Sequence, residues 1–201
     1  NNFKDQLDSI IFVHNDFRHV EKILKEAKIT SLDGAIFDLG VSSFHLDETD
    51  RGFSFLRDSD LDMRMDQTGK LTAREVVNSF SQEMLADIIR EYGEERHARR
   101  IAKYICSFRE KEEINSTTQL ASIIVNSVGK FYAKQKIHPA QRTFQAIRIF
   151  VNDELEAIAE ALRKIIFYLT PGSRICVISF HSLEDRIVKN IFKEEAGKKT
   201  M

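Results

Sequence analysis

Asp33-Gly34-Ala35-Ile36-Phe37-Asp38-Leu39-Gly40-Val41-Ser42-Ser43 is the stretch on which the fold turns. A short apolar run bounded by glycines predicts a strand buried on both faces, as in a parallel sheet. The run closes on a carboxylate, a glycine and two hydroxyls. Open α/β sheets bind ligands outside the carboxyl ends of their strands. Asp38, Ser42 and Ser43 are therefore the candidate catalytic residues. The competing reading is a strand end at which Asp38 caps a turn.

Upstream, Ser9-Ile10-Ile11-Phe12-Val13-His14 predicts another short strand, and Val20, Ile23, Leu24 and Ala27 line one face of a helix over residues 18–28. Strand, helix, strand in this order is a βαβ unit, with parallel pairing and a right-handed crossover. Near the other end, Arg174-Ile175-Cys176-Val177-Ile178-Ser179-Phe180 predicts a second buried strand, closed by His181 in the same kind of position as Asp38. Ser182 is expected to cap a last helix carrying Leu183, Ile187, Val188, Ile191 and Phe192.

Between these strands the character is helical. Residues 47–66 hold seven acids, interleaved with Arg51, Arg57 and Arg64, and read as a solvated, internally paired loop. Asp58-Ser59-Asp60-Leu61-Asp62 opens like a calcium loop, but Met63 stands where the turn needs glycine and Gly69 where a bidentate glutamate belongs, so no metal site is expected. Thr72-Ala73-Arg74-Glu75 and Ser79-Phe80-Ser81-Gln82 fit the capping box, and Ser116 caps a further helix. Three helices are expected between residues 72 and 129. A long helical pattern then runs from His138-Pro139 to Thr170-Pro171-Gly172, with a bend at Asn152-Asp153.

At 201 residues and 42% hydrophobic, the chain can bury one core, or one core with an inserted subdomain. The net charge of −1 rules out a global field for nucleic acid, so such a signal must be local. It is local: residues 114–152 contain no acid, and hold Lys130, Lys134, Lys136, His138, Arg142 and Arg148 among Phe131, Tyr132 and Phe144. Cations interleaved with aromatic rings suit nucleic acid, the alternative being an ordinary basic helix face and loop, and Lys130, Lys134, Lys136, His138, Arg142 and Phe144 are the candidate nucleic-acid-binding residues. Two distant cysteines without a C-x-x-C pair, and no signal peptide or long apolar run, point to a reduced cytoplasmic protein away from membranes. No Gly-rich phosphate loop, zinc-spaced Cys/His set or nucleophile elbow occurs.

Six stretches in order carry a family resemblance: Asp38-Leu39-Gly40-Val41-Ser42-Ser43, Arg51-Gly52-Phe53-Ser54-Phe55, Leu61-Asp62-Met63-Arg64-Met65-Asp66, Tyr92-Gly93-Glu94-Glu95-Arg96, the run from His138 to Ala146, and the run from Ile178 to Lys189. Together they resemble the RsmH (MraW) family, bacterial small-subunit rRNA cytosine-N4 methyltransferases that use S-adenosylmethionine. The resemblance implies a class I Rossmann-like methyltransferase fold with an inserted helical domain that holds RNA. Residues 1–45 and 138–201 would form the methyltransferase domain and 46–137 the insertion. It also implies that S-adenosylmethionine meets Phe17 and Asp38, with His45 standing where the family has Gln and Phe44 where it has Pro. The family's first strand, Gly-rich loop and second strand would precede Asn1, and its last strands would follow Lys199. The expectation is thus a chain truncated at both ends. Small-subunit rRNA or the small ribosomal subunit is the implied partner, and a homodimer is compatible. The rival reading is a non-catalytic RNA-binding or assembly module built on residues 130–148.

Methyl transfer from a sulfonium is an in-line displacement, which asks chiefly for alignment. The cytosine amine is a weak nucleophile because its lone pair is delocalised into the ring. An acceptor at the amine can localise that pair and take the proton. Asp38, Ser42 and Ser43 are placed for this, His181 less directly, and His138 or Phe144 would stack on the unstacked base.

Overall fold

A computed structural model of the chain describes residues 10–41, 51–129, 132 and 136–197. Two compact units emerge, residues 1–40 with 155–201, and residues 41–154. The division falls on either side of the expected insertion, 46–137, because the helix after His138 packs into the helical unit.

In the first unit, Asp16 accepts the Arg18 N–H and starts a 3₁₀ turn, Phe17–His19, that runs into helix α1, Val20–Glu26. Strand β1, Leu32–Asp38, pairs in parallel with β2, Leu169–Ile178. Gly34 lies opposite Arg174 and Asp38 opposite Ile178, with a register irregularity between Leu32 and Gly34. That irregularity absorbs Pro171, which cannot donate to a ladder, and Gly172 at φ 93°. The Thr170 and Ser173 hydroxyls reach the Leu32 carbonyl there, at 3.3 and 2.8 Å. The second strand therefore begins at Leu169, where the helical pattern was expected to end, and the helix stops at Ile165 before the 3₁₀ turn Ile166–Tyr168.

Two expectations fail in this unit. Residues 10–14 form no strand, and Phe12 is 82% exposed. Among the described residues β1 pairs with β2 alone, so the predicted βαβ unit is replaced by a parallel pair whose connection is the long stretch between them. Nor is β1 buried on both faces. Phe37 and Leu39, with Ala35, Ile175 and Val177 beside them, pack against Ile158, Leu162 and Ile165 of α7, Glu154–Ile165, and against Val188 and Ile191 of α8, Ser182–Gly197. The alternate face carries Ile36 at 78% exposure. Period-two alternation sends successive side chains to opposite faces, and these helices cover one.

The second unit is helical. Helix α2, Ala73–Ser79, opens on the expected capping box, with Thr72 accepting the Glu75 N–H and Glu75 accepting the Thr72 N–H. Helix α3, Gln82–Gly93, is capped by Ser81 rather than Ser79, which is the last residue of α2. Helices α4, Ala98–Arg109, and α5, Thr117–Val128, follow, so four helices stand where three were expected; α2 is too short for a clear periodic signature. Ser116 caps α5 as expected. Helix α6, Gln141–Asn152, ends on Asp153 in the left-handed region at φ 50°, the expected bend. Its Ala146 meets α3 so closely that a Cβ on Gly93 would lie 2.6 Å from the Arg142 carbonyl.

The acidic segment is not a solvated loop over its described part. Leu61 and Met63 are fully buried. Arg51 donates to the Arg64 and Met65 carbonyls, Arg64 pairs with Asp62 at 2.6 Å, and Asn152 of α6 clamps this region through two backbone bonds, accepting the Met65 N–H and donating to the Met63 carbonyl. Here the charges organise a tight packed turn around Gly52, whose φ of 71° and closeness to the Asp60 backbone, where a Cβ would lie 2.3 Å from the carbonyl oxygen, exclude any side chain.

Candidate functional site

Parallel register brings the carboxyl ends of β1 and β2 to one place. β1 closes on Asp38, whose carboxylate is exposed and has no side-chain partner among the described residues. Leu39 turns inward, its N–H bonding the Ile178 carbonyl at 3.1 Å. Gly40 follows at φ 83°, a conformation only glycine adopts without strain, and its missing Cβ would touch the Phe180 ring at 3.4 Å. Phe180 itself is 68% exposed. Ser42, Ser43 and His45 lie outside the described residues.

Beyond β2, His181 occupies the cap position before α8; its carbonyl accepts the Asp185 N–H and its Nδ1 the Glu184 N–H at 3.4 Å. Helix α8 thus starts at Ser182, one residue earlier than a Ser182 cap would put it. Glu184 is completely buried. Its Oε2 accepts the Phe180 N–H at 2.7 Å and the His181 N–H at 3.4 Å, and its Oε1 faces His181 Nε2 at 3.2 Å. Burial would raise the Glu184 carboxyl, but the contact with His181 and the backbone donors outweigh it and hold the group below its ordinary range. Both ring nitrogens of His181 are turned to Glu184, so His181 is a structural partner there and not a group offered to substrate. Sequence reading passed over Glu184. An acid in the first turn of a helix reads as a dipole partner, and nothing in the local pattern says that it is buried.

Phe17 stands on the short 3₁₀ turn, 41% exposed and edge-on to Phe37 at 6.3 Å. It therefore rests against the residue that precedes Asp38. An exposed acid and a half-exposed ring on neighbouring elements are what this unit offers a ligand.

The candidate RNA-binding residues fall in the helical unit. Lys130 and Lys134 lie outside the described residues, and Lys136 is exposed. His138 is exposed and stacks on Phe55 at 4.6 Å with rings nearly parallel. Phe144 is 4% exposed and packs edge-on against Phe55. That corrects its expected role: periodicity put it on the inner face of α6, and a base cannot reach it. Arg142 donates to the Glu94 carbonyl at 3.2 Å and lines a cavity of about 220 Å³ with Glu95, Arg96, His97 and Tyr132. Buried Glu95 accepts the His97 N–H at 2.8 Å and the Tyr132 hydroxyl. Burial, then the bond to Glu95 and its charge, push the Tyr132 hydroxyl far above its ordinary value. Glu95 was also missed, since it lies in a short turn between two helices where an acid reads as solvated.

A parallel α/β unit with an acid at its strand end, accompanied by a helical unit, is the mixed architecture of Rossmann-like methyltransferases. The model of the MraW methylase family matches residues 1–201, and the chain belongs to that family. It is 56% identical over 185 residues to "Ribosomal RNA small subunit methyltransferase H" of Caldicellulosiruptor bescii, covering 92% of this chain and 60% of that protein. Proteins of the same name from Syntrophotalea carbinolica and Brevibacillus brevis are 50% and 47% identical over 188 residues, each covering 94% of this chain and 60% of the relative. The chain thus spans about three fifths of the length of the curated relatives it matches.

Proposed function

We propose that this chain carries the acceptor-side strand ends and the RNA-holding helices of an S-adenosylmethionine-dependent methyltransferase that acts on N4 of a cytidine in small-subunit ribosomal RNA. Family membership supports methyl transfer, and the relatives' name supports the ribosomal substrate. The single observation that carries the reading is the exposed Asp38 carboxylate at the carboxyl end of β1, unpartnered among the described residues and beside the φ-positive Gly40.

The residues present suit the donor's chemistry. S-adenosylmethionine is cationic at its sulfonium and its amine and carries an aromatic base, and here an exposed acid and a half-exposed aromatic ring stand on neighbouring elements. When bound, the donor supplies an electrophilic methyl group. Asp38 then either pairs with the donor or accepts the proton of the cytosine amine, with Ser42 and Ser43 next in sequence; His45 is a further donor-side candidate. The helical unit, 41–154, holds RNA through Lys130, Lys134, Lys136, His138 and Arg142. No helix among the described residues is long and apolar enough to cross a membrane, and the proposed ribosomal substrate supports a cytoplasmic location.

Asp38→Asn in the intact protein tests the reading. If Asp38 takes the proton, single-turnover methylation at saturating S-adenosylmethionine falls about 100-fold or more, the scale of a positioned acid–base group. If Asp38 holds the donor, the donor's dissociation constant rises and saturation restores the rate. Wild-type rate and wild-type donor affinity together would remove Asp38 from the site.

A further inference from the structure

The α4–α5 pair bears a feature that the methyltransferase reading does not use. A cavity of about 440 Å³ lies between the two helices, lined by Tyr104 and Phe108 on α4 and by Gln119, Ser122, Ile123 and Asn126 on α5. Its size is that of small-ligand pockets, about 300–1,000 Å³. The spacing explains it: Tyr104 and Phe108 are one turn apart, and the α5 residues recur at helical intervals, so two stripes face one another. Tyr104 is 39% exposed, and the Arg100 guanidinium lies over its ring, 5.7 Å from the centroid. Arg100 Nε donates to the Ser127 carbonyl, which ties the cation across both helices.

Charge is arranged with the same bias. Neither α4 nor α5 contains an acidic residue, while α4 carries Arg99, Arg100, Lys103 and Arg109. Arg109 is occupied by the Val77 and Phe80 carbonyls. Arg99 and Lys103 are exposed. At the far end Glu112 accepts from Gln119 Nε2 at 3.2 Å and makes that end negative. The Asn126 amide is exposed and has no partner among the described residues.

We propose that this groove is a platform for one unpaired nucleotide of RNA. The base stacks on Tyr104 beside the Arg100 cation, the Asn126 amide meets its polar edge, and the flanking phosphates run along Arg99 and Lys103. One cation over an exposed ring, with Arg99 and Lys103 exposed on the same helix, matches a nucleotide, which is anionic at the backbone and aromatic at the base. Glu112 repels phosphate and sets the direction in which the strand leaves. The proposal rests on the reading of this chain as an RNA-acting protein, and adds a contact outside the stretch 130–148.

The test uses the intact protein and a single-stranded oligoribonucleotide bearing one 2-aminopurine, with its duplex as the control. Tyr104→Ala should weaken single-strand binding about 5- to 100-fold, the cost of losing one stacked base, and abolish the fluorescence quench. Tyr104→Phe should restore both to within about threefold, because the ring is what counts. Duplex binding should not change. Tyr104 is exposed, so a melting temperature within about 2 °C of wild type certifies the fold of each variant. Unchanged single-strand affinity in a folded Tyr104→Ala protein overturns the proposal. So does a loss confined to a small-subunit ribosomal protein, which would make the groove a protein-docking site. Methylation measured on the same preparations reports separately: a wild type that binds through Tyr104 but transfers no methyl group supports the platform and removes the enzyme reading.

Discussion

Glu184→Ala removes the one buried carboxylate that ties the end of β2 to the start of α8. The Phe180 N–H at 2.7 Å is a charge-assisted bond, of the kind that contributes about 1.5–3 kcal/mol. The His181 N–H at 3.4 Å adds little, but its donor would be left buried without a partner. A cost of about 2–3 kcal/mol follows. For a chain of this size that lowers the melting temperature by about 4–12 °C, at 2–4 °C per kcal/mol. Glu184→Gln keeps one acceptor and loses the charge, and should cost about half as much. The pH dependence has a definite sign. The Glu184 carboxyl is held below its ordinary 4.5 in the folded protein, so its contribution is complete above that pH and fades as pH falls through the lower folded value. The gap between wild type and Gln should therefore narrow below about pH 4.5. Thermal unfolding at pH 7 and pH 3.5, with exchange of the Phe180 and His181 amides, measures it. A Glu184→Ala protein that melts within 1 °C of wild type, with those amides as protected as before, would refute the reasoning.

Gly52→Ala would push a Cβ to 2.3 Å from the Asp60 carbonyl at a φ that alanine resists, and should cost more than the about 1 kcal/mol of ordinary Gly→Ala strain in urea titration. Arg148→Met removes two bonds of 2.8 and 2.9 Å from the buried Glu154 carboxylate, an expected loss of about 3–5 kcal/mol by denaturation. Charge reversal at Lys134 and Lys136 should weaken binding to small-subunit rRNA across sequences and lower the salt slope by about one to two units. Equal slopes in wild type and variant would reduce the basic stretch to a solvated face.

The strand at residues 32–38, the helices over 82–93, 98–109 and 117–128, and the break at Asp153 were all legible, because each rests on local chemistry: apolar periodicity, a serine or threonine cap, or a positive φ. Asp38 was legible for the same reason, as an acid at a strand end. What was not legible depends on partners distant in sequence. Ile10–Val13 has the composition of a strand, yet a strand needs a ladder, and among the described residues none pairs with it. Phe144 looks like a stacking ring in a basic stretch until α6 is docked on α3 and α2. The acid-rich turn around Gly52 looks solvated until Asn152, about ninety residues later, closes over it. Glu184 and Glu95 are ordinary acids in sequence. Burial against His181 in one unit and Tyr132 in the other makes them structural anchors.

Mass spectrometry of nucleosides from small ribosomal subunits tests the central claim most directly. Subunits lacking the modification are incubated with the intact protein and isotopically labelled S-adenosylmethionine, and the small-subunit rRNA is then digested. The account predicts labelled N4-methylcytidine, present with the wild-type protein and strongly reduced or donor-dependent with Asp38→Asn. Label on another nucleoside, label on protein alone, or no label at saturating donor would contradict it.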